Sequence, residues 1–143
     1  LSEVSWASEY VGLEFVDGGR DRRGVDCWGL VRLVYLERLK IVLPDFAEIR
    51  AYDGKAVAAA ISENAALKTW VSVVAPSVKE YDVVVMRGHV GGFGMPRHVG
   101  VVAPYQTVLH IEHGVDAICP RIASTTIKDR IIGFYRHHDL FAD

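Results

Sequence analysis

Two cysteines and six histidines are the residues of this chain best suited to nucleophilic and proton-transfer chemistry. Cys27 stands in DCWGLVRLVYLERL, directly after Asp26 and at the start of a segment whose apolar residues recur three and four apart. Asp26 is a good N-cap, which puts Cys27 at the first helical position. A helix start presents free N–H groups and the positive end of the dipole, so a thiol there is expected to have a lowered pKa and to form the attacking thiolate. A second reading stays open, since unpaired cysteine is among the most buried residue types and Cys27 also suits a core thiol. Cys119, between Ile118 and Pro120, reads as a core or edge thiol, and two cysteines so far apart do not announce a stapled scaffold.

A cysteine nucleophile needs a base, and the base needs an orienting partner. His98 opens the apolar run HVGVVA, after the glycine-rich segment RGHVGGFGMPR, and His110 lies in TVLHIEH. A hairpin through Pro104-Tyr105-Gln106 that pairs residue 98 with 112 sets His98 diagonally opposite His110, with both imidazoles on one sheet face. That geometry serves a proton relay, an ion pair or a metal. Zinc would draw on Cys27, His98 and His110, but no CxxC, HxH or HExxH spacing supports it, and no metal or cofactor is expected. His89 falls in the glycine-rich loop, while His113, His137 and His138 read as turn or exposed-tail residues.

The elements that must position these groups follow from periodicity. A short amphipathic helix is expected from Ser2 to Val11, stopped at Gly12, and the clearest helix runs from Asp26 to Arg38. The segment FVDGGRDRRG between them reads as an irregular loop. It lacks the spacing of a phosphate cradle, so its glycines are assigned to close approach of the backbone to the cysteine helix. Asp17, Arg20 and Asp21 would then line an entrance or a solvated turn. KAVAAAISENAALKTW predicts a second helix on the outside of the core. After Pro76 the period becomes two, and five strands are expected within 81–86, 98–103, 107–113, 114–120 and 130–136 as a mostly antiparallel meander. Helices followed by sheet imply an α+β fold, and residues 1–143 read as one domain.

Composition limits the function classes. Half of the 143 residues are hydrophobic, 24% are charged and the formal charge is −2, so no basic excess offers a nucleic-acid surface. No apolar run reaches the length of a membrane span, and no signal-peptide pattern is read at the N-terminus.

GLEFVDGGRDRRGVDCWGLVRLV, followed by YDVVVM, RHVGVVA and VLHIEHG, resembles the NlpC-type family of cell-wall peptidases, in particular its phage-tail and gene-transfer-particle branch. The resemblance covers roughly residues 6 to 136. It implies a reduced papain-like fold, with a cysteine helix packed on an antiparallel sheet, and hydrolysis of a D-glutamyl to diamino acid bond in peptidoglycan stem peptides. It places the nucleophile on Cys27, the general base on His98 and the orienting residue on His110, with the Cys27 N–H in the oxyanion hole. Arg20, Asp26, Trp28 and Arg97 are candidate substrate contacts, and Arg87 is another candidate partner for substrate carboxylates. Phe15 occupies the position of a tyrosine found in many relatives, so an oxyanion-stabilising hydroxyl is missing unless Tyr10 or a loop N–H replaces it. The implied setting is a particle tail, beside other tail or baseplate proteins, acting in the bacterial periplasm or at the cell wall. Two alternatives go with this reading: a weakly active or inactive tail component of the same fold, and a cysteine amidase or acyltransferase on another substrate.

Overall fold

The structure, a computed structural model, describes residues 5–44, 69–87 and 96–141. His89, the rest of the glycine-rich loop and nearly all of the expected second helix lie outside the described residues. Ser5 caps a 3-10 turn, Trp6–Glu9, by accepting from the Ala7 N–H, and Gly12 ends the segment with φ at +95°. The expected first helix is thus one tight turn within the described residues. It still buries Trp6, Ala7 and Tyr10.

Two short strands, β1 (Arg20–Asp21) and β2 (Gly24–Val25), form an antiparallel pair where an irregular loop was expected. Two residues are too few to generate a period-two signal. Helix α1, Cys27–Val34, follows, and a π-helical turn, Tyr35–Leu39, extends it to Lys40, which is left-handed at φ 58°. All of α1 except Arg32 is buried, and its inner face packs against the sheet.

Strands β3 (Trp70–Val73), β4 (Val83–Arg87), β5 (Pro96–Ala103), β6 (Thr107–Glu112), β7 (Val115–Ile118) and β8 (Ile131–His137) make one antiparallel sheet in the order β3-β8-β4-β5-β6-β7. A short helix, α2 (Thr125–Lys128), precedes β8. The expected α+β architecture and all five expected strands are present. Two features correct the expected meander. Trp70 begins a sixth strand instead of ending a helix, and β8 returns across the sheet to lie between β3 and β4. A four-residue edge strand adjoining an alanine-rich pattern has no local mark of its own.

The sheet is covered on both sides, which explains the unbroken apolar run Val83-Val84-Val85-Met86. Val83, Val85, Val99, Val101, Leu109 and Ile111 belong to the core that includes α1. Val84, Met86, Val102 and Val108 pack with Ile127 of α2 in a second cluster. The inserted β8 carries Arg136, whose guanidinium donates to both oxygens of the fully buried Asp82 at 2.7 and 2.8 Å. His137, expected in an exposed tail, is buried because β8 is interior, and its ring stands edge-on to Trp70 at 5.1 Å. No helix among the described residues is long and apolar enough to cross a membrane.

The loop before α1 approaches the helix very closely. A Cβ on Gly29 would lie 2.0 Å from the Gly19 carbonyl oxygen, which is backbone and has no rotamer to yield. Gly29→Ala is therefore expected to destabilise the fold by at least about 3 kcal/mol, the upper end for overpacked positions, read as a lower urea midpoint.

Candidate active site

Asp26 organises the start of the cysteine helix. Its Oδ1 accepts from the Gly29 N–H at 2.7 Å and from Arg20 Nη1 at 2.7 Å, and its Oδ2 accepts from the Gly18 N–H at 3.0 Å. One carboxylate thus caps α1 and ties down the glycine loop, as an N-cap side chain does for orphan donors. The three candidate contacts in this region are turned towards the protein. Asp26 is buried, Arg20 also donates to the Gly19 carbonyl, and the buried Trp28 donates its Nε1–H to the Pro44 carbonyl at 2.8 Å. Arg97 lies in β5, and its side chain is outside the described residues. Arg87, the other arginine considered for substrate carboxylates, donates to the Asp129 carbonyl.

Cys27 is 5% exposed, in the first turn of α1, and is a free thiol, as is Cys119. Burial pushes its pKa up to about 12, and the Asp26 carboxylate pushes the same way. Backbone hydrogen bonds from Val99 and Trp28 and the Arg20 charge pull downwards without prevailing. The expectation of a lowered thiol pKa is thereby corrected: desolvation outweighs the helix end, because the thiolate would be stripped of water. The resting group is a neutral thiol held against the backbone of β5 at Val99.

The residue before Val99 is His98. Its Nε2 lies 2.9 Å from His110 Nδ1, and the two rings meet edge to face, with centroids 5.1 Å apart. This contact rests on the hairpin register, which pairs Val101 with Leu109, Val102 with Val108 and Ala103 with Thr107, as expected from the turn at 104–106. Gly100 makes room, since a Cβ there would sit 3.0 Å from His110 Cβ. Burial drives the His98 pKa down to about 3 and that of His110 to about 4, with the Glu112 carboxylate opposing both shifts. Both rings are neutral at pH 7.

Depressed histidine pKa values fix the sign of an acid effect. Above the unfolded value of 6.5, both imidazoles are neutral in either state, and no stability difference arises. As the pH falls from 6.5 towards 4, the unfolded chain takes up protons that the folded chain refuses, so stability drops. The expected loss is on the order of 1 kcal/mol per pH unit for each imidazole. Urea midpoints measured from pH 7 to 4 should fall steeply for the wild type and less steeply for His110→Gln.

Glu112 and Arg130 complete the surroundings, and neither was singled out from the sequence. Glu112 follows His110 by two residues on β6, the spacing that places side chains on one face of a strand. That alternation is the signal that could have found it. Its carboxylate lies 3.9 Å from His110 Nδ1 and accepts a fork from Arg130. His98, His110 and Glu112 are close enough to hold a cation. Two of their ligand atoms face each other in a hydrogen bond, however, and the Arg130 guanidinium donates to both carboxylate oxygens, so the built arrangement is a histidine pair beside an ion pair.

Phe15 bridges to Val25 through its backbone, and its half-buried ring stands edge-on to His113 at 5.3 Å. Tyr10 does not replace the missing hydroxyl, because its O–H donates to Glu37 on the far half of the helix at 2.8 Å.

Comparison with known proteins bears on this geometry. The profile of the NlpC/P60 family matches residues 12–136. Among solved structures, the NlpC/P60 domain of the peptidoglycan hydrolase SagA is 21% identical, with a TM-score of 0.58 over 91% of this chain and 92% of that one. An NlpC/P60 family protein from Bacillus cereus is 16% identical, with a TM-score of 0.64. A protein of the same family described as similar to a lipoprotein, from Staphylococcus aureus, is 18% identical, with a TM-score of 0.62. Each of these two is covered by 92% of this chain, which spans only 37% and 38% of their respective lengths. At these identities the structures show a shared fold. No curated protein matches the chain.

Proposed function

The chain belongs to the NlpC/P60 family, and from that premise we propose that it is a cysteine peptidase that hydrolyses an amide bond in peptidoglycan stem peptides. The single observation that carries this reading is the buried His98–His110 pair, hydrogen-bonded at 2.9 Å, next along β5 to the Val99 backbone group that contacts the Cys27 sulfur. In the proposed reaction His98 takes the thiol proton as Cys27 Sγ attacks the scissile carbonyl. The imidazolium returns that proton to the departing amine. His98 then deprotonates a water that splits the thioester, while His110 holds the tautomer and ring orientation. As the first residue of α1, Cys27 has an N–H without an i−4 carbonyl partner, and this donor would face the developing oxyanion. Because thiol and imidazole rest neutral, proton transfer accompanies attack instead of preceding it.

The D-glutamyl to diamino acid bond is the substrate bond we propose, on the strength of the sequence resemblance. The same resemblance supports delivery by a phage-tail or gene-transfer particle; the family match itself selects no branch. A second reading, a weak or inactive particle component with this fold, draws on Phe15 in place of tyrosine and on the burial of Cys27. Digestion of purified murein sacculi decides between them. Released peptides, identified by mass, should carry a new amine at one stem-peptide bond. An identical null result for wild type and Cys27→Ala, under reducing conditions from pH 5 to 9, would remove the peptidase reading.

A further inference from the structure

Glu112 and Arg130 have no part in the reaction as written above, yet they stand directly behind its proton relay. Arg130 Nη1 and Nη2 donate to Glu112 Oε1 and Oε2 at 3.0 and 2.8 Å. The same guanidinium donates from Nε and Nη2 to the Arg87 carbonyl at 3.2 and 3.1 Å. The carboxylate is therefore fixed by backbone at the end of β4 and by the turn leading into β8. A fork of this kind gives a charge a defined position.

The proton inventory shows what such a charge would do. For His98 to accept a proton at Nδ1, its Nε2 must already carry one and donate it to His110 Nδ1. His110 then keeps its own proton on Nε2, a buried atom with no hydrogen-bond partner among the described residues. When His98 becomes an imidazolium, the thiolate has been consumed in the bond to substrate, and neutral His110 offers a dipole but no countercharge. Among the described residues, other charged or titratable groups in this region include Asp26 with Arg20 at the start of α1, His113 beyond β6, and Asp116 of β7. Asp26 is already paired with Arg20. Asp116 lines the same cavity of about 730 Å³ as His110, Glu112 and Arg130. Among the described residues, Glu112 brings a carboxylate within 4 Å of the pair, 3.9 Å from His110 Nδ1.

We infer that Glu112, clamped by Arg130, is a positioning residue that supplies the countercharge for the imidazolium form of the His98–His110 pair. The inference rests on the peptidase reading and extends it from three residues to five. Its signs are opposite for the two partners: the carboxylate favours protonation of the pair, and the guanidinium opposes it. Any ion pair this close would shift the pair in opposite directions, so the catalytic readout, not the sign alone, separates a countercharge from a brace.

The test is a titration of the histidine ring signals by NMR in the Cys27→Ala background, with Glu112→Gln and Arg130→Gln as the variants. Glu112→Gln should move the onset of protonation of His98 and His110 to lower pH, and Arg130→Gln should move it to higher pH. In the Cys27 enzyme, Glu112→Gln should lower kcat about tenfold for each pKa unit by which the imidazolium is destabilised, with KM unchanged. Glu112→Asp should restore part of the loss. Folded variants whose titrations move in the same direction, or do not move, would overturn the inference. The NMR arm needs no hydrolysis, so a wild type that leaves sacculi intact would sink the peptidase reading while this arm still returned its own answer.

Discussion

Cys27→Ala is expected to release no peptides from purified sacculi, and His98→Gln to lower kcat/KM by about 10² to 10⁴, the range for loss of a general base. The two losses should not add, because without the nucleophile there is no proton for the base to take. Neither change should cost much stability. Cys27→Ala removes one sulfur from a site where the thiol packs but makes no buried ion pair, and His98→Gln retains a polar group opposite His110. Denaturant midpoints measured near pH 7 alongside the kinetics separate chemistry from folding. An active Cys27→Ala protein would dismiss the mechanism outright. The neutral resting pair adds a kinetic expectation: alkylation of Cys27 by iodoacetamide should be slow at pH 7, since a thiol pushed up to about 12 has almost no thiolate.

Asp82→Ala is expected to be the most damaging single change away from the site, at about 3 to 5 kcal/mol, the cost of stripping one partner from a buried ion pair. Asp82 is fully buried and receives both donors of Arg136 together with the Lys79 N–H at 2.8 Å. Arg136 also donates to the Ser77 carbonyl at 2.6 Å. Removing the carboxylate strands a guanidinium between the inserted strand β8 and the segment leading into β4. The measurement is the urea midpoint, and the control is the double variant Asp82→Leu/Arg136→Met. Replacing both charges with apolar groups should recover much of the loss, because the penalty lies in the unpaired charge. A double variant no more stable than Asp82→Ala would show that the bond network itself holds β8 in place.

The elements nearest the chemistry were legible for local reasons. Asp26 before an apolar-periodic run marks an N-cap, and the structure shows that carboxylate on the Gly29 N–H. A three-residue turn between two alternating segments leaves one natural register, and that register sets His98 against His110. The glycines of GGRDRRG announced close approach, and Gly19 abuts Gly29. In each case the relevant partners lie within about a dozen residues, where spacing alone constrains geometry.

What spacing left open depends on contacts between distant segments. The order of strands is an example: β8 enters between β3 and β4 through pairings across some 45 to 67 residues, and His137 becomes buried as a result. The pairing of Arg20, a candidate substrate contact, with Asp26 shows only in the fold, and Glu112 meets Arg130, from the turn before β8, only once the sheet is assembled. The direction of the Cys27 pKa belongs here as well. The residues of DCWGLVRLV place a thiol at the positive end of a helix, but the charge it can bear is set by how much water remains around it. Burial is a property of the assembled fold, and at Cys27 it outweighs the helix end.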